Sequence, residues 1–195
     1  MSNLKKSRQT FEIDMCNGPL LPKILLFTIP LILSGILQLL FNAADVIVVG
    51  RFAGDEPLAA VGATSSLINL FTNIFIGLSV GSNVLTARFL GASNKGEIEK
   101  TVHTSVALAL VSGGVLAVVG FVVSPLLLGW MSTPETVLPL ATLYLRIYFL
   151  GMPAMMLYNF GSAILRAIGD TRRPLYYLMA AGVLNVVLNL LFVPV

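Results

Sequence analysis

Charged residues are scarce in this chain, and their scarcity is its most informative property. Asp, Glu, Lys and Arg make up 11% of the 195 residues, whereas soluble domains carry about 25%. The mean hydropathy is +0.91. A water-soluble globule of this size could not cover its surface with so few charges, so the composition predicts an integral membrane protein in contact with lipids.

Other features that the sequence lacks exclude further classes of protein. Cys16 is the only cysteine, so no disulfide framework can form. The net charge is +3, and no basic run is interleaved with aromatic residues, which excludes a nucleic-acid partner. Zinc-binding, CxxC and Walker motifs are absent. Residues 77–81 match the Gly-x-Ser-x-Gly pattern, but the pattern needs a strand before it and a histidine partner. We therefore predict neither an enzyme nor a cofactor.

Five long apolar runs are present instead. A bilayer core about 30 Å thick needs about 20 apolar residues in a helix, and the runs are continuous rather than alternating, which excludes barrel strands. The fold class predicted is all-α integral membrane, with five transmembrane helices. They are expected over about 20–50, 57–87, 99–130, 137–166 and 174–195.

The few charges are concentrated in the connections between these runs. Ten of the twelve cations fall before the first run, between the second and third, or between the fourth and fifth. Positively charged loops remain in the cytoplasm. Residues 1–19 are therefore predicted to be a cytoplasmic segment, and the protein is predicted to span the cell (inner) membrane several times.

One acid, Asp45, lies inside an apolar run. A buried Asp costs about 2.5 to 3.5 kcal/mol near a helix centre, so Asp45 needs a partner, water or a proton. Gln38 and Asn42 share its helix face, because the three residues are spaced by four and then three. Such a stripe could couple transport to H⁺ or hold Na⁺ at Asp45. The structural alternative is an ion pair with Arg51 or Arg146 that only holds helices together.

Further amides and hydroxyls interrupt the other runs. Asn185 and Asn189 are spaced i, i+4 in the fifth run and are predicted to line the same cavity as Asp45. Four more residues are candidate cavity-lining residues: Asn69, Asn73, Tyr158 and Asn159. Asn side chains also bridge membrane helices without any role in transport.

Several ordered segments resemble one known family. Residues 30–50 read PLILSGILQLLFNAADVIVVG and are followed by RFAG and LAAVG; the loop at 87–97 reads ARFLGASNKGE, and residues 165–174 read LRAIGDTRRP. This order, from about residue 20 to 195, resembles the first half of the multidrug and toxic compound extrusion (MATE) family.

The resemblance implies a twelve-helix transporter made of two six-helix lobes, which exports cationic or amphipathic small molecules in exchange for H⁺ or Na⁺. In that family an acid matching Asp45 takes part in ion coupling, with polar residues of the fifth helix nearby. Asn185 matches a family Asn, whereas Asn189 stands where some prokaryotic members have Asp. Residues 20–195 are then expected to form the N-terminal lobe up to its fifth helix, without the sixth helix and the second lobe.

Two other functions are alternatives to export. A flippase for lipid-linked saccharides belongs to the same superfamily, but it needs several cations in its cavity, and only Arg146 lies within a run. A non-transporting membrane scaffold would use Asp45 for an ion pair.

Overall fold

The described part of the chain is entirely helical apart from turns and connections. The computed structural model describes Ile13 and residues 18–193. The helices are α1 (Leu20–Phe52), α2 (Asp55–Gly91), α3 (Lys95–Trp130), α4 (Leu138–Leu150), α5 (Met152–Ala167) and α6 (Arg172–Phe192). Four are each long and apolar enough to span a membrane, and α4 with α5 forms one bent candidate span. The prediction of an all-α membrane protein is confirmed, with four candidate spans, or five when the bent pair is counted as one.

The helix predicted over about 137–166 is two helices in the structure. α4 ends at Leu150 and α5 begins at Met152, and their axes differ by 47°. Proline has no N–H and clashes with the preceding turn, and glycine weakens a helix interior. Gly151 and Pro153 lie at this point, so the sequence explains the break, although apolarity alone predicts an uninterrupted helix.

The hydrophobic core lies between α2, α3, α4 and α5. Phe149 and Phe160 are almost completely buried in it. The Phe149 ring packs edge-on against Phe71, with ring centroids 5.4 Å apart. Gly120 of α3 provides the space for that ring, because a β-carbon at Gly120 would overlap it. These four helices form a packed bundle.

α1 and α6 form a separate pair beside this bundle. Their backbones approach each other closely, and the bundle helices whose backbones lie nearest are α2, beside α1, and α5, beside α6. Large apolar side chains are exposed along both helices, among them Leu39, Ile47 and Leu191. In a membrane these surfaces contact lipid or other helices rather than water.

The two ends of the molecule differ in charge. α1, α3 and α6 begin at one end, where α2 and α5 also finish, and we call it the basic end. Its cations include Lys23, Arg88, Lys95, Arg166 and Arg173. The opposite end carries Arg51 and three acids, Asp55, Glu56 and Glu135. α1, α3 and α6 therefore run away from the basic end, and α2 and α5 run toward it.

Candidate functional site

The α1–α6 pair positions the candidate site. Gly182 of α6 is buried against the ring of Phe41 on α1, and a β-carbon at Gly182 would overlap that ring. The absence of a side chain at Gly182 therefore lets the two helices approach closely. One to two turns further along both helices lie Asp45 and Asn189.

Asp45 accepts a hydrogen bond from Asn189. The distance from Asn189 Nδ2 to Asp45 Oδ1 is 2.5 Å, and the same nitrogen lies 3.4 Å from Asn185 Oδ1. Asp45 and Asn189 are half-buried, whereas Asn185 is exposed. The structure thus brings together three of the residues predicted from the sequence, with one amide nitrogen shared between two oxygens.

Gln38 and Asn42 lie on α1 at the expected spacing, but they are exposed and do not join this hydrogen-bond network in the described part of the chain. The polar stripe therefore continues from Asp45 along α1 toward the basic end. The amides of Gln38 and Asn42 therefore lie on a surface of α1 that α6 does not cover.

Asp45 forms no ion pair within residues 18–193. Arg146, one of the two cations considered as its partner, instead donates from Nε to the Phe121 carbonyl oxygen at 3.1 Å. Its guanidinium lies 4.9 Å from the centroid of the Phe121 ring, a cation–π contact. Arg51, the other cation, is exposed at the end of α1. The described partner of Asp45 is therefore a neutral amide.

None of the four candidate cavity-lining residues forms a hydrogen bond with Asp45, Asn185 or Asn189 in the described part of the chain. Asn73 Nδ2 donates to the Asn69 carbonyl oxygen at 2.8 Å, and both residues are exposed on α2. Tyr158 Oη donates to the Pro174 carbonyl oxygen at 3.2 Å and so links α5 to α6. Asn159 Nδ2 is buried without a hydrogen-bond partner in the described chain. α1 makes no helix contact with α5, so Tyr158 and Asn159 are not part of the Asp45 network.

Sequence reasoning missed the polar contacts inside the bundle. Asn83 Nδ2 donates to the Ala163 carbonyl oxygen at 2.7 Å, joining α2 to α5. Ser105 Oγ donates to Ser82 Oγ at 2.9 Å, joining α3 to α2. Small hydroxyl residues scattered in apolar helices give no periodic signal, so only the three-dimensional packing identifies these pairs.

The chemistry available at Asp45 follows from its partners. An ionised Asp45 accepts from the Asn189 amide, and a hydrogen bond to a charged group contributes about 1.5 to 3 kcal/mol. A protonated Asp45 could instead donate to the Asn189 amide oxygen after the amide rotates. The carboxylate and the two amide oxygens are also hard ligands of the kind that bind small cations. No cluster of three or more acid, His or Cys ligands occurs in the described residues.

Several known proteins with similar sequences are named as probable multidrug resistance proteins. The probable multidrug resistance protein YoeA of Bacillus subtilis is 36% identical over 163 residues, which are 84% of this chain and 35% of YoeA. The probable multidrug resistance protein YpnP of the same organism is 32% identical over 182 residues, covering 93% of this chain and 41% of YpnP. The chain thus spans less than half the length of these relatives.

Structural and family comparisons agree with these similarities. A solved MATE structure in complex with MaD3S has a TM-score of 0.81 and 29% sequence identity, over 87% of this chain and 38% of that chain. The family model MatE matches residues 30–191. That range includes the Asp45–Asn189 pair and all but the ends of the helical region, so the chain belongs to the MATE family.

Proposed function

We propose that this chain forms most of the N-terminal lobe of a secondary active exporter, which moves cationic or amphipathic compounds out of the cell in exchange for H⁺ or Na⁺. The observation that carries the proposal is the intramembrane carboxylate of Asp45, paired with Asn189 rather than with a cation. The names of the relatives YoeA and YpnP support multidrug compounds as the substrate class.

A carboxylate with neutral partners suits ion coupling. An arginine partner would neutralise Asp45 permanently and favour its ionised form, whereas amides leave the site free to gain and lose a positive charge. Either H⁺ or Na⁺ would change the net charge of the α1–α6 pair by one unit. Binding of that ion would then favour one conformation of the transporter over another, by the difference in its affinity for the two.

We assign the ion-coupling role to Asp45, Asn189 and Asn185, with Gln38 and Asn42 as further polar groups on the exposed side of α1. The proposed cavity-lining residues form no hydrogen bond with this network in the described part of the chain; they are Asn69, Asn73, Tyr158 and Asn159. We propose that substrate contacts also involve a second lobe, because this chain spans less than half the length of its relatives.

Transport should depend on an ion gradient when the intact gene is expressed in cells that lack other exporters. In everted membrane vesicles, the transporter should accumulate a cationic dye in the lumen while the ion gradient is present. The vesicles should lose this dye when the gradient is collapsed. A protonophore would abolish H⁺-coupled accumulation, and removal of Na⁺ would abolish Na⁺-coupled accumulation. Dye accumulation that survives both treatments, in vesicles without ATP, would contradict secondary active export.

A lipid-linked saccharide flippase gives a different outcome in the same vesicles. It would translocate a lipid pyrophosphate and leave the dye distribution unchanged. Arg146 is the one cation proposed to lie well inside a span, and its guanidinium is engaged with Phe121. A pyrophosphate needs more positive charge than this, so the structure favours export.

The orientation of the protein is testable through its only thiol. We propose that the basic end faces the cytoplasm, because positively charged loops are retained there. Cys16, which precedes α1, should then resist a membrane-impermeant maleimide in intact cells and react after the cells are permeabilised. A matched variant, Cys16→Ser with Glu135→Cys, places the thiol at the opposite end and should be labelled in intact cells. Rapid labelling of Cys16 in intact cells would reverse the proposed orientation.

A further inference from the structure

A groove between α2 and α3 opens at the basic end and has a volume of about 400 Å³. Glu97 and Lys100, in the first two turns of α3, line its outer end. Leu78 of α2 and Leu108 of α3 line its inner end. α3 rises about 16 Å from Glu97 to Leu108. The groove is therefore long enough to reach from the lipid headgroups into the hydrocarbon core.

The absence of a side chain at Gly81 keeps the middle of the groove open. Gly81 lines the groove, and a β-carbon there would meet nothing within 4 Å. Beside it, Ser105 Oγ of α3 donates to Ser82 Oγ of α2 at 2.9 Å, and both serines are buried. This hydrogen bond holds the two helices together, so a ligand can lie over Gly81 without separating them.

The α3 side of the groove changes from charged to polar to apolar with depth. Glu97 and Lys100 come first, the hydroxyls of Thr101 and Thr104 follow, and Leu108 comes last. Thr101 Oγ1 donates to the Glu97 carbonyl oxygen at 2.7 Å, whereas the Thr104 side chain forms no hydrogen bond within the described residues. A phospholipid has the same order of groups: a charged headgroup, ester oxygens that accept hydrogen bonds, and apolar chains.

The two charges at the outer end of the groove have opposite signs. Lys100 Nζ lies 2.7 Å from Glu97 Oε1, and the two side chains are 74% and 39% exposed. An exposed pair of this kind contributes little to stability, and both groups are accessible to a ligand. A phosphate suits Lys100, and a primary ammonium suits Glu97 because it donates hydrogen bonds to a carboxylate. A headgroup with a net negative charge would instead place an anion beside Glu97.

We propose that the groove binds one phospholipid with a phosphoethanolamine headgroup, taken from the leaflet at the basic end. Lys100 donates to the phosphate, Glu97 accepts from the ammonium, and Thr104 donates to an ester carbonyl oxygen. One acyl chain lies over Gly81 and covers three leucines that are otherwise between 41% and 46% exposed, namely Leu78, Leu85 and Leu108. The bound lipid contacts α2 and α3 together, so it stabilises their packing.

Native mass spectrometry of the purified full chain in detergent tests the position of the lipid. With added dioleoylphosphatidylethanolamine, the unsubstituted chain should retain one lipid molecule. Gly81→Leu fills the groove and should weaken retention about tenfold or more, the scale of an overpacking substitution. Gly77→Leu is the matched control and should retain the lipid normally, because Gly77 is also exposed on α2 with nothing within 4 Å but does not line the groove. Equal retention by the two variants would overturn the proposal.

A second comparison tests the headgroup. Dioleoylphosphatidylglycerol has the phosphate without the ammonium, so the unsubstituted chain should retain it less. Lys100→Gln should weaken retention of the ethanolamine lipid by up to about fivefold. Lys95→Gln, at an exposed lysine of α3 outside the groove, should not change it. Glu97→Gln removes the carboxylate and should abolish the preference between the two lipids. Equal retention of both lipids by the unsubstituted chain would refute the headgroup assignment.

The same spectra distinguish a lipid from a second copy of the chain as the occupant of the groove. Loss of the lipid from a monomeric Gly81→Leu chain that keeps its helical circular dichroism would support the lipid site. A dimer of the unsubstituted chain that Gly81→Leu dissociates, with lipid retention unchanged, would assign the groove to self-association instead.

Discussion

Replacing Asp45 by Asn is expected to abolish ion-driven export by the intact transporter while leaving its level in the membrane unchanged. The substitution removes the only charge in the Asp45–Asn189–Asn185 network but keeps a side chain of the same shape that can still hydrogen bond to Asn189. An amide neither takes up a proton at physiological pH nor attracts a cation as a carboxylate does. The measurement is gradient-driven dye transport in vesicles, normalised to the amount of protein.

Asp55→Asn is the matched control, because Asp55 is an exposed acid in the first turn of α2. It should export at the unsubstituted rate, since removing a charge in a solvated position changes little. Asp45→Glu, which keeps the carboxylate but lengthens the side chain, should retain part of the activity. Full export by Asp45→Asn would remove Asp45 from the coupling mechanism.

Gly113→Ala is expected to destabilise the helix bundle by about 2 to 3 kcal/mol, toward the upper end of the range for overpacking substitutions. The added β-carbon would lie 2.6 Å from the α-carbon of Pro153 and 3.3 Å from the Met152 carbonyl oxygen. Both are backbone atoms at the start of α5, so no side chain can rotate away. The expected measurement is a lower midpoint of thermal or denaturant-induced unfolding of the protein in detergent micelles.

Gly114→Ala provides the comparison within the same turn of α3. A β-carbon at Gly114 meets nothing within 4 Å, so the substitution should be neutral or should stabilise the helix by up to about 1 kcal/mol through its higher propensity. The two variants differ only in which face of α3 receives the methyl group. Equal stabilities of the two variants would contradict the close approach of α3 to Pro153.

Composition and run length are sufficient to predict the membrane class and the all-α fold. A helix needs about 20 apolar residues to span the bilayer. Each span can therefore be predicted from its own segment of the sequence. The break between α4 and α5 is harder to predict. Gly151 and Pro153 disfavour a helix at this point, whereas the continuous apolar run favours one uninterrupted helix. The consequence of the break, a close contact between Gly113 and Pro153, involves residues 40 positions apart and cannot be read from either segment alone.

The sequence predicts those parts of the candidate site in which a polar side chain interrupts an apolar helix. Asp45 and Asn189 are polar groups in apolar helices, and the structure joins them. Gly182 carries no such signal, because a small residue in a membrane helix is common and its partner Phe41 is distant in the sequence. Tyr158 and Asn159 are also polar residues in an apolar run, but polarity alone does not say which helix they face, and α5 does not contact α1.

The sequence distance between Asp45 and Asn189 has a consequence for biosynthesis. The two residues are 144 positions apart, and ribosomes add about 5 to 20 residues per second. Asp45 is therefore synthesised about 7 to 30 s before the amide that pairs with it. Asp45 lies seven residues before the end of α1, so its carboxylate can stay near the headgroups during that interval. The hydrogen bond between Asp45 and Asn189 can accordingly form only after α6 has been synthesised, so α1 exists for that interval without its described polar partner.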